Sequence, residues 1–136
     1  MKTKTKIIIL EDDVFFGNLI KNFLINQEYE NVILYTDEEE CLKSIKNEPA
    51  LFILDHHLVK MTGLEVMNKI KEKNSKAQFI YLSGENLGKV AVKALRNGAL
   101  DYIEKNKKAF IKLNDLIEQV LMHNLKQADF NSFKIA

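Results

Sequence analysis

Polar side chains that can bind ions stand at the ends of four short apolar runs in this sequence. They are Glu11, Asp12 and Asp13 after the first run, Asp55 after the third, Ser83 after the fourth and Lys105 after the fifth. In an open parallel α/β sheet, ligands bind at the carboxyl ends of the strands, so these groups would converge on one edge. Carboxylates in such a cluster suit Mg²⁺, which takes oxygen ligands. We therefore predict a Mg²⁺ site, and without the ion we expect repulsion to raise the pKa of at least one carboxyl group.

Each acid taken singly also fits an ordinary structural role. Asp13 is predicted to cap the helix that follows it, and Glu11 and Asp12 fit capping or solvation equally well. Asp55 alone is typical of a turn. The functional interpretation rests on the occurrence of these residues together, because four strand ends that each carry a complementary polar group are improbable by chance.

The elements that position these groups alternate between β-rich runs and helical stretches. Five apolar runs are predicted as strands, at residues 7–10, 32–35, 51–54, 79–82 and 102–103. Apolar residues at helical spacing follow each run. We expect Thr36 and Asp37 to give the second helix a capped start and Pro49 to end it. We expect Gly63 to open the third helix and Gly98 to stop the fourth. Five β-then-α units in series predict a parallel sheet with helices on both faces.

Composition limits the class of protein. The chain has 136 residues, 46% hydrophobic and 29% charged, which fits a single folded domain. Its net charge of +1 argues against nucleic acid or an anionic membrane as a partner held by bulk charge. The single cysteine, Cys41, can form no internal disulfide and lacks the partners of a zinc cluster. We predict neither a signal peptide nor a membrane span, and therefore a cytoplasmic protein.

Five segments, taken in order, resemble the receiver domain of two-component response regulators. They are residues 7–13, 51–55, 61–66, 80–84 and 97–105. The resemblance covers residues 5 to about 125, so we assign a receiver domain to residues 1–126 and a loose C-terminal tail to 127–136. It implies an α/β protein with the flavodoxin-like (βα)5 three-layer sandwich, in which five parallel strands take the order 2-1-3-4-5.

The resemblance also implies a role for each acid at the sheet edge. Asp55 would be the phosphoacceptor, a carboxylate nucleophile that takes the phosphoryl group of a phosphohistidine. Asp12 and Asp55 would bind Mg²⁺ directly, together with the backbone carbonyl of His57, while Glu11 would act mainly through water.

Three further residues complete the implied site. Ser83 and Lys105 would bind phosphoryl oxygens, since phosphoryl transfer needs positioning and charge neutralisation more than covalent help. Tyr102 would be the switch aromatic, turning inward when Ser83 moves toward the phosphate.

The implied activity is that of a signalling switch, with only self-catalysed phosphotransfer and autodephosphorylation as chemistry. The implied partners are a sensor histidine kinase or a histidine phosphotransfer protein, and a downstream protein target. Nothing resembling an output domain follows the last helix. We therefore expect a stand-alone receiver similar to chemotaxis regulators, with neither nucleic acid nor a membrane as partner.

The sequence departs from the family pattern at several positions. Val59 and Asn106 stand where the family usually has proline, so we expect the Lys105–Asn106 bond to be trans. In receivers, the side chains at the positions of His57 and Glu85 flank the route of a water that attacks the acyl phosphate. We expect this pair to accelerate hydrolysis by relaying a proton. The alternatives are that the imidazole ring blocks the route and slows hydrolysis, or that both side chains point into solvent and have no effect.

Two other functions remain open from the sequence. One is a receiver-like scaffold that binds partners without phosphorylation. The other is an aspartate-nucleophile phosphatase of the haloacid dehalogenase type, which would need a second aspartate where this chain has His57.

Overall fold

Five strands and five helices alternate along the chain. The computed structural model describes the backbone of residues 5–84 and 88–135, and side chains as far as residue 127. The elements are β1 (Lys6–Leu10), α1 (Val14–Asn26), β2 (Val32–Tyr35), α2 (Glu38–Lys43), β3 (Ala50–Leu54), α3 (Gly63–Lys73), β4 (Ala77–Ser83), α4 (Gly88–Arg96), β5 (Asp101–Glu104) and α5 (Ala109–Ile135).

The strands form one parallel sheet in the order β2-β1-β3-β4-β5. Helices cover both faces of the sheet, so the side chains on either face of a central strand need to be apolar. All five residues of β3 are accordingly buried. One core lies between the sheet, α1 and α5. The other core lies between the sheet, α2, α3 and α4. The predicted three-layer α/β fold and strand order are confirmed.

Side-chain caps start three of the helices. The carboxylate of Asp13 accepts a hydrogen bond of 3.2 Å from the Phe16 amide, and that of Asp37 accepts one of 3.1 Å from Glu40. At the start of α3, the hydroxyl of Thr62 accepts a hydrogen bond of 3.2 Å from the Glu65 amide. Each cap satisfies an amide that the first turn leaves without a helical partner. Both predicted aspartate caps are confirmed.

Two helix ends differ from the sequence-based expectation. α2 ends at Lys43, well before Pro49, and both the amide and the hydroxyl of Ser44 donate to the Cys41 carbonyl, at 3.1 and 2.7 Å. α5 continues to Ile135, so residues that we assigned to the C-terminal tail are helical, while the looseness of that tail stays a prediction. No glycine or proline occurs between Ala109 and Ile135, so no residue stops the helix once it has started.

Gly98 ends α4 as predicted. Its φ of +107° lies in the region that favours glycine, which suits a helix stop. Among the described residues, no helix is long and apolar enough to cross a membrane.

Candidate functional site

The hydrogen-bond ladder of the sheet continues past the strand ends and positions the polar residues there. The amide of Glu11 donates to the Tyr35 carbonyl at 3.1 Å, and that of Asp55 donates to Leu10 at 3.2 Å. The amide of Lys105 donates to the Ser83 carbonyl at 2.7 Å. Together with the pairing of β3 and β4, these bonds align the residues that follow β1, β3 and β5 with the end of β4 at one edge of the sheet.

Three carboxylates cluster at this edge. Oxygens of Glu11, Asp12 and Asp55 all lie within 4.8 Å of one another. Glu11 and Asp55 are 2% and 6% exposed, and Asp12 is half-buried. Across the described ranges, this is the one group of possible metal ligands with such spacing. A set made only of carboxylate oxygens, partly open to solvent, fits Mg²⁺, which keeps several of its waters.

Lys105 lies against two of these carboxylates. Its Nζ donates a hydrogen bond to Oε1 of Glu11 and lies 3.5 Å from Oδ2 of Asp55. The same Nζ lies 4.6 Å from the centre of the Phe16 ring, a cation–π contact. One ammonium group thus faces two buried acids, which leaves an excess of negative charge.

The pKa of Glu11 is raised to about 8. Burial is the main cause, because it penalises the charged form, and the hydrogen bond and charge of Asp55 raise the pKa further. The ammonium of Lys105 offsets part of the rise. The direction agrees with the expectation for a cluster without a cation, but burial, and not repulsion between the carboxylates, is the main cause.

Ser83 and Tyr102 occupy the neighbouring strands. Ser83 is fully buried, and its Oγ has no hydrogen-bond partner among the described residues. Tyr102 is partly buried and its ring stacks on that of Tyr81, with 5.7 Å between centroids. In the register of β4 and β5, Tyr81 pairs with Tyr102 and Ser83 pairs with Glu104. Ser83 therefore lies nearer the carboxyl edge of the sheet than the pair of tyrosines, and one pair beyond Ile103.

The loop after Asp55 carries the two histidines. His57 is exposed and forms an isolated antiparallel bridge with Thr62. The rings of His56 and His57 meet edge to face at 5.0 Å, and neither belongs to the carboxylate group. Glu85 lies outside the described residues, so its predicted pairing with His57 stays a prediction.

The departures at Val59 and Asn106 leave the backbone regular. The described residues contain no cis peptide bond, so Lys105–Asn106 is trans as expected. Asn106 instead forms the turn before α5, where its carbonyl accepts from the Ala109 amide at 3.0 Å and its Oδ1 accepts from Lys108 at 3.0 Å. Val59 is 77% exposed.

Sequence reasoning did not identify Tyr81 or the close packing at Gly63. The Tyr81 hydroxyl is hydrogen-bonded to Nδ1 of His56, and the ring is fully buried. A Cβ on Gly63 would lie 2.6 Å from that hydroxyl and would overlap the carbonyl oxygen of Asp55. The available signal was a tyrosine within an otherwise apolar run, since a buried phenol needs a hydrogen-bond partner.

Comparison with known proteins gives a consistent picture. A family model described as the response regulator receiver domain matches residues 7–120. The chemotaxis protein CheY of Listeria monocytogenes is 30% identical over 104 residues, which cover 74% of this chain and 85% of that protein. The crystal structure of a CheY-like receiver domain protein from Methanospirillum hungatei has a TM-score of 0.81 at 26% identity, covering 92% of this chain and 99% of that one.

Other relatives are longer proteins. The transcriptional regulatory protein RprY of Bacteroides fragilis is 28% identical over 138 residues, which cover 99% of this chain and 58% of that protein. The chain spans 21% to 58% of the length of three such curated relatives.

Proposed function

This chain belongs to the response regulator receiver domain family, and we propose that Asp55 is its phosphoacceptor in two-component or phosphorelay signalling. Receiver domains are signalling domains that interact with histidine kinases, phosphotransfer proteins and downstream targets. The observation that carries the proposal is the position of the Lys105 Nζ, which contacts Glu11 and lies 3.5 Å from Asp55. A buried carboxylate beside a cation is suited to meet a phosphoryl group at that point.

The reaction forms one bond and breaks another. A carboxylate oxygen of Asp55 attacks the phosphorus of a phosphohistidine, the phosphorus–nitrogen bond breaks, and the imidazole leaves with the electron pair and takes up a proton. The product is an acyl phosphate on Asp55. Lys105 shifts from Glu11 to a phosphoryl oxygen, and the hydroxyl of Ser83 donates to another.

Glu11, Asp12 and Asp55 would hold Mg²⁺, with the backbone carbonyl of His57 as a further ligand and Glu11 acting mainly through water. The ion would neutralise charge on the phosphoryl oxygens, which three carboxylates would otherwise repel. Because burial and Asp55 raise the pKa of Glu11, binding of the cation would release a proton from this carboxyl group.

Downstream effects follow from two further assignments. Tyr102 responds as Ser83 moves toward the phosphoryl group, which changes the surface that a protein target reads. His57, together with Glu85, orients the water that hydrolyses the acyl phosphate. The phosphate donor is a sensor histidine kinase or a histidine phosphotransfer protein.

The first prediction is that acetyl phosphate labels the protein at Asp55 only when Mg²⁺ is present. Asp55 carries the nucleophile, so Asp55→Asn should lose the label completely. Intact mass and retardation on phosphate-affinity gels measure the label. Asp115→Asn, which changes an exposed aspartate on α5, is the matched control and should label like the wild type.

Equal labelling of Asp55→Asn, or full labelling in excess chelator, would rule out the assignment. Wild-type protein that takes no label from acetyl phosphate or from any phosphohistidine donor would instead favour the scaffold that binds partners without phosphorylation.

A further inference from the structure

Tyr81 connects the two parts of the site that must communicate. It lies in β4 next to β3 and β5, paired in register with Leu54 on one side and with Tyr102 on the other. Its side chain is buried at 0% exposure, and its ring faces the core that contains α3 and α4. Asp55 comes directly after Leu54, so Tyr81 lies between the phosphoacceptor strand and the strand of Tyr102.

The hydroxyl of Tyr81 is held by the loop that follows Asp55. The phenol oxygen of Tyr81 is hydrogen-bonded to Nδ1 of His56. This hydrogen bond attaches the Tyr81 hydroxyl to the start of residues 55–62, which we call the acceptor loop.

Gly63 indicates how closely this attachment is packed. The carbonyl oxygen of Asp55 and the hydroxyl of Tyr81 both occupy the space that a Cβ at Gly63 would need. The Gly63 amide donates to the His56 carbonyl at 3.0 Å. The acceptor loop therefore cannot move at Asp55 and His56 without a change at the Tyr81 hydroxyl, because interiors packed at this density have no free volume to absorb the motion.

The ring of Tyr81 contacts Tyr102. The two rings stack with an interplanar angle of 24° and 5.7 Å between centroids. A tyrosine side chain has only two rotatable bonds, so a displacement of its hydroxyl tilts the whole ring. Any such tilt changes the surface on which Tyr102 rests.

We propose that Tyr81 is a positioning residue that couples the acceptor loop to Tyr102 through its hydrogen bond to His56. The inference rests on the proposed function, in which Asp55 is phosphorylated. It adds a second connection to the one through Ser83: the loop moves when Asp55 carries a phosphoryl group, His56 moves with it, and Tyr81 passes the motion to Tyr102. Coupling between sites requires an element that both of them bias, and here that element is the Tyr81 ring.

The test uses ¹⁹F NMR of the full chain labelled with 3-fluorotyrosine. The protein has four tyrosines, so Tyr102→Phe assigns the signal of interest. The probe is Mg²⁺ with beryllofluoride, which stands in for the phosphoryl group on Asp55. We expect the Tyr102 signal of the wild type to shift, and this shift to fall to less than half in both Tyr81→Phe and His56→Leu. Labelling of Asp55 by acetyl phosphate should stay within threefold.

Two controls separate coupling from general damage. Tyr29→Phe also removes a hydrogen bond of a buried tyrosine, 3.1 Å to Asn114, but in the other core, and should leave the Tyr102 shift intact. The double variant Tyr81→Phe/His56→Leu should lose no more of the shift than either single variant, because both remove the same bond. If Tyr81→Phe fails to fold, His56→Leu, at a half-buried position, tests the same bond.

A full Tyr102 shift in both single variants, with Asp55 still labelled, overturns the coupling and leaves the proposed function standing. Additive losses in the double variant also overturn it. Wild-type protein that takes no label at Asp55 overturns the proposed function and the coupling together.

Discussion

Ser83 combines a cost in the free protein with a use at the site. Its Oγ is buried without a hydrogen-bond partner among the described residues, and a buried hydroxyl in that condition costs about 1–3 kcal/mol. Ser83 is the last residue of β4, and its carbonyl accepts a hydrogen bond from the amide of Lys105. A group kept there at a cost to stability is consistent with a role in binding an anion.

Ser83→Ala should therefore stabilise the free protein and slow its phosphorylation. We expect a gain of about 1 kcal/mol in the free energy of unfolding, because the unpartnered oxygen is removed, and labelling by acetyl phosphate about tenfold slower or more, because a donor to the phosphoryl group is lost. Urea denaturation and the labelling rate measure the two effects.

The matched control is Ser44→Ala. The Ser44 hydroxyl donates to the Cys41 carbonyl at 2.7 Å, so its removal should destabilise the protein by about 1 kcal/mol and leave labelling unchanged. Destabilisation by Ser83→Ala, or labelling at the wild-type rate, would contradict the role assigned to Ser83.

At the scale of single residues, the sequence predicted the acidic residues of the site better than the residues that pack around them. Parallel strands end at one edge, so the meeting of Glu11, Asp55 and Lys105 follows from the strand pattern. The bond between Tyr81 and His56 joins residues 25 positions apart, and it depends on which way each side chain turns. No periodicity encodes such a contact.

The first residues of α3 and α4 are both glycine, but their surroundings differ. Gly63 lies against the Asp55 carbonyl and the Tyr81 hydroxyl, whereas no atom of the described residues lies within 4 Å of the Cβ that Gly88 lacks. α3 can therefore approach the acceptor loop only because its first residue has no side chain. The start of α3 at Gly63 was predicted from the sequence, but the reason for the glycine was not.

Gly63→Ala should destabilise the protein by about 2–3 kcal/mol, because the added methyl group meets backbone that cannot move aside. Gly88→Ala is the matched change at an open helix start, and it should be neutral or stabilise by about 0.5–1 kcal/mol through the lower entropy of the unfolded chain. Urea denaturation followed by circular dichroism compares the two variants. Equal stability of the two would show that the contact at Gly63 is not restrictive.

The element boundaries show what local sequence can predict. The strand runs rich in Ile, Leu and Val were located correctly, because burial on both faces demands continuous apolar sequence. The end of α2 was expected at Pro49, but the helix ends at Lys43, where the amide and the hydroxyl of Ser44 both donate to the Cys41 carbonyl. A breaker in the sequence sets the latest point at which a helix can end, while a local cap can end it sooner.

For the whole molecule, the order of the strands was the least accessible quantity from the residues alone. The βα pattern predicts parallel strands and right-handed crossovers, but several orders satisfy both. The observed order β2-β1-β3-β4-β5 matches the one that the family resemblance implied. It places β1 and β3 side by side in the middle of the sheet, and so brings Asp12 close to Asp55.

The same arrangement links the stability of the whole domain to pH and to metal. The pKa of Glu11 is about 8 in the folded, metal-free protein and near 4.5 when the chain is unfolded. Between these values the folded state holds a proton that the unfolded state has released, so stability falls as pH rises. The contribution is fully present below pH 4.5 and is lost as pH passes about 8. One proton gives a slope of at most about 1.4 kcal/mol per pH unit.

We therefore expect the metal-free protein to be less stable at pH 8 than at pH 5.5, and Mg²⁺ to stabilise it more at pH 8, because the ion binds the deprotonated carboxylates and competes with the proton. Urea denaturation with and without Mg²⁺ across this range measures both effects.

Glu11→Gln places a neutral group at the site and should flatten the pH dependence, whereas Glu65→Gln, at an exposed position on α3, should keep it. All these variants contain the same three histidines, so any contribution from histidine cancels in the difference. A Glu11→Gln variant with the wild-type pH dependence would show that the proton resides elsewhere in the molecule.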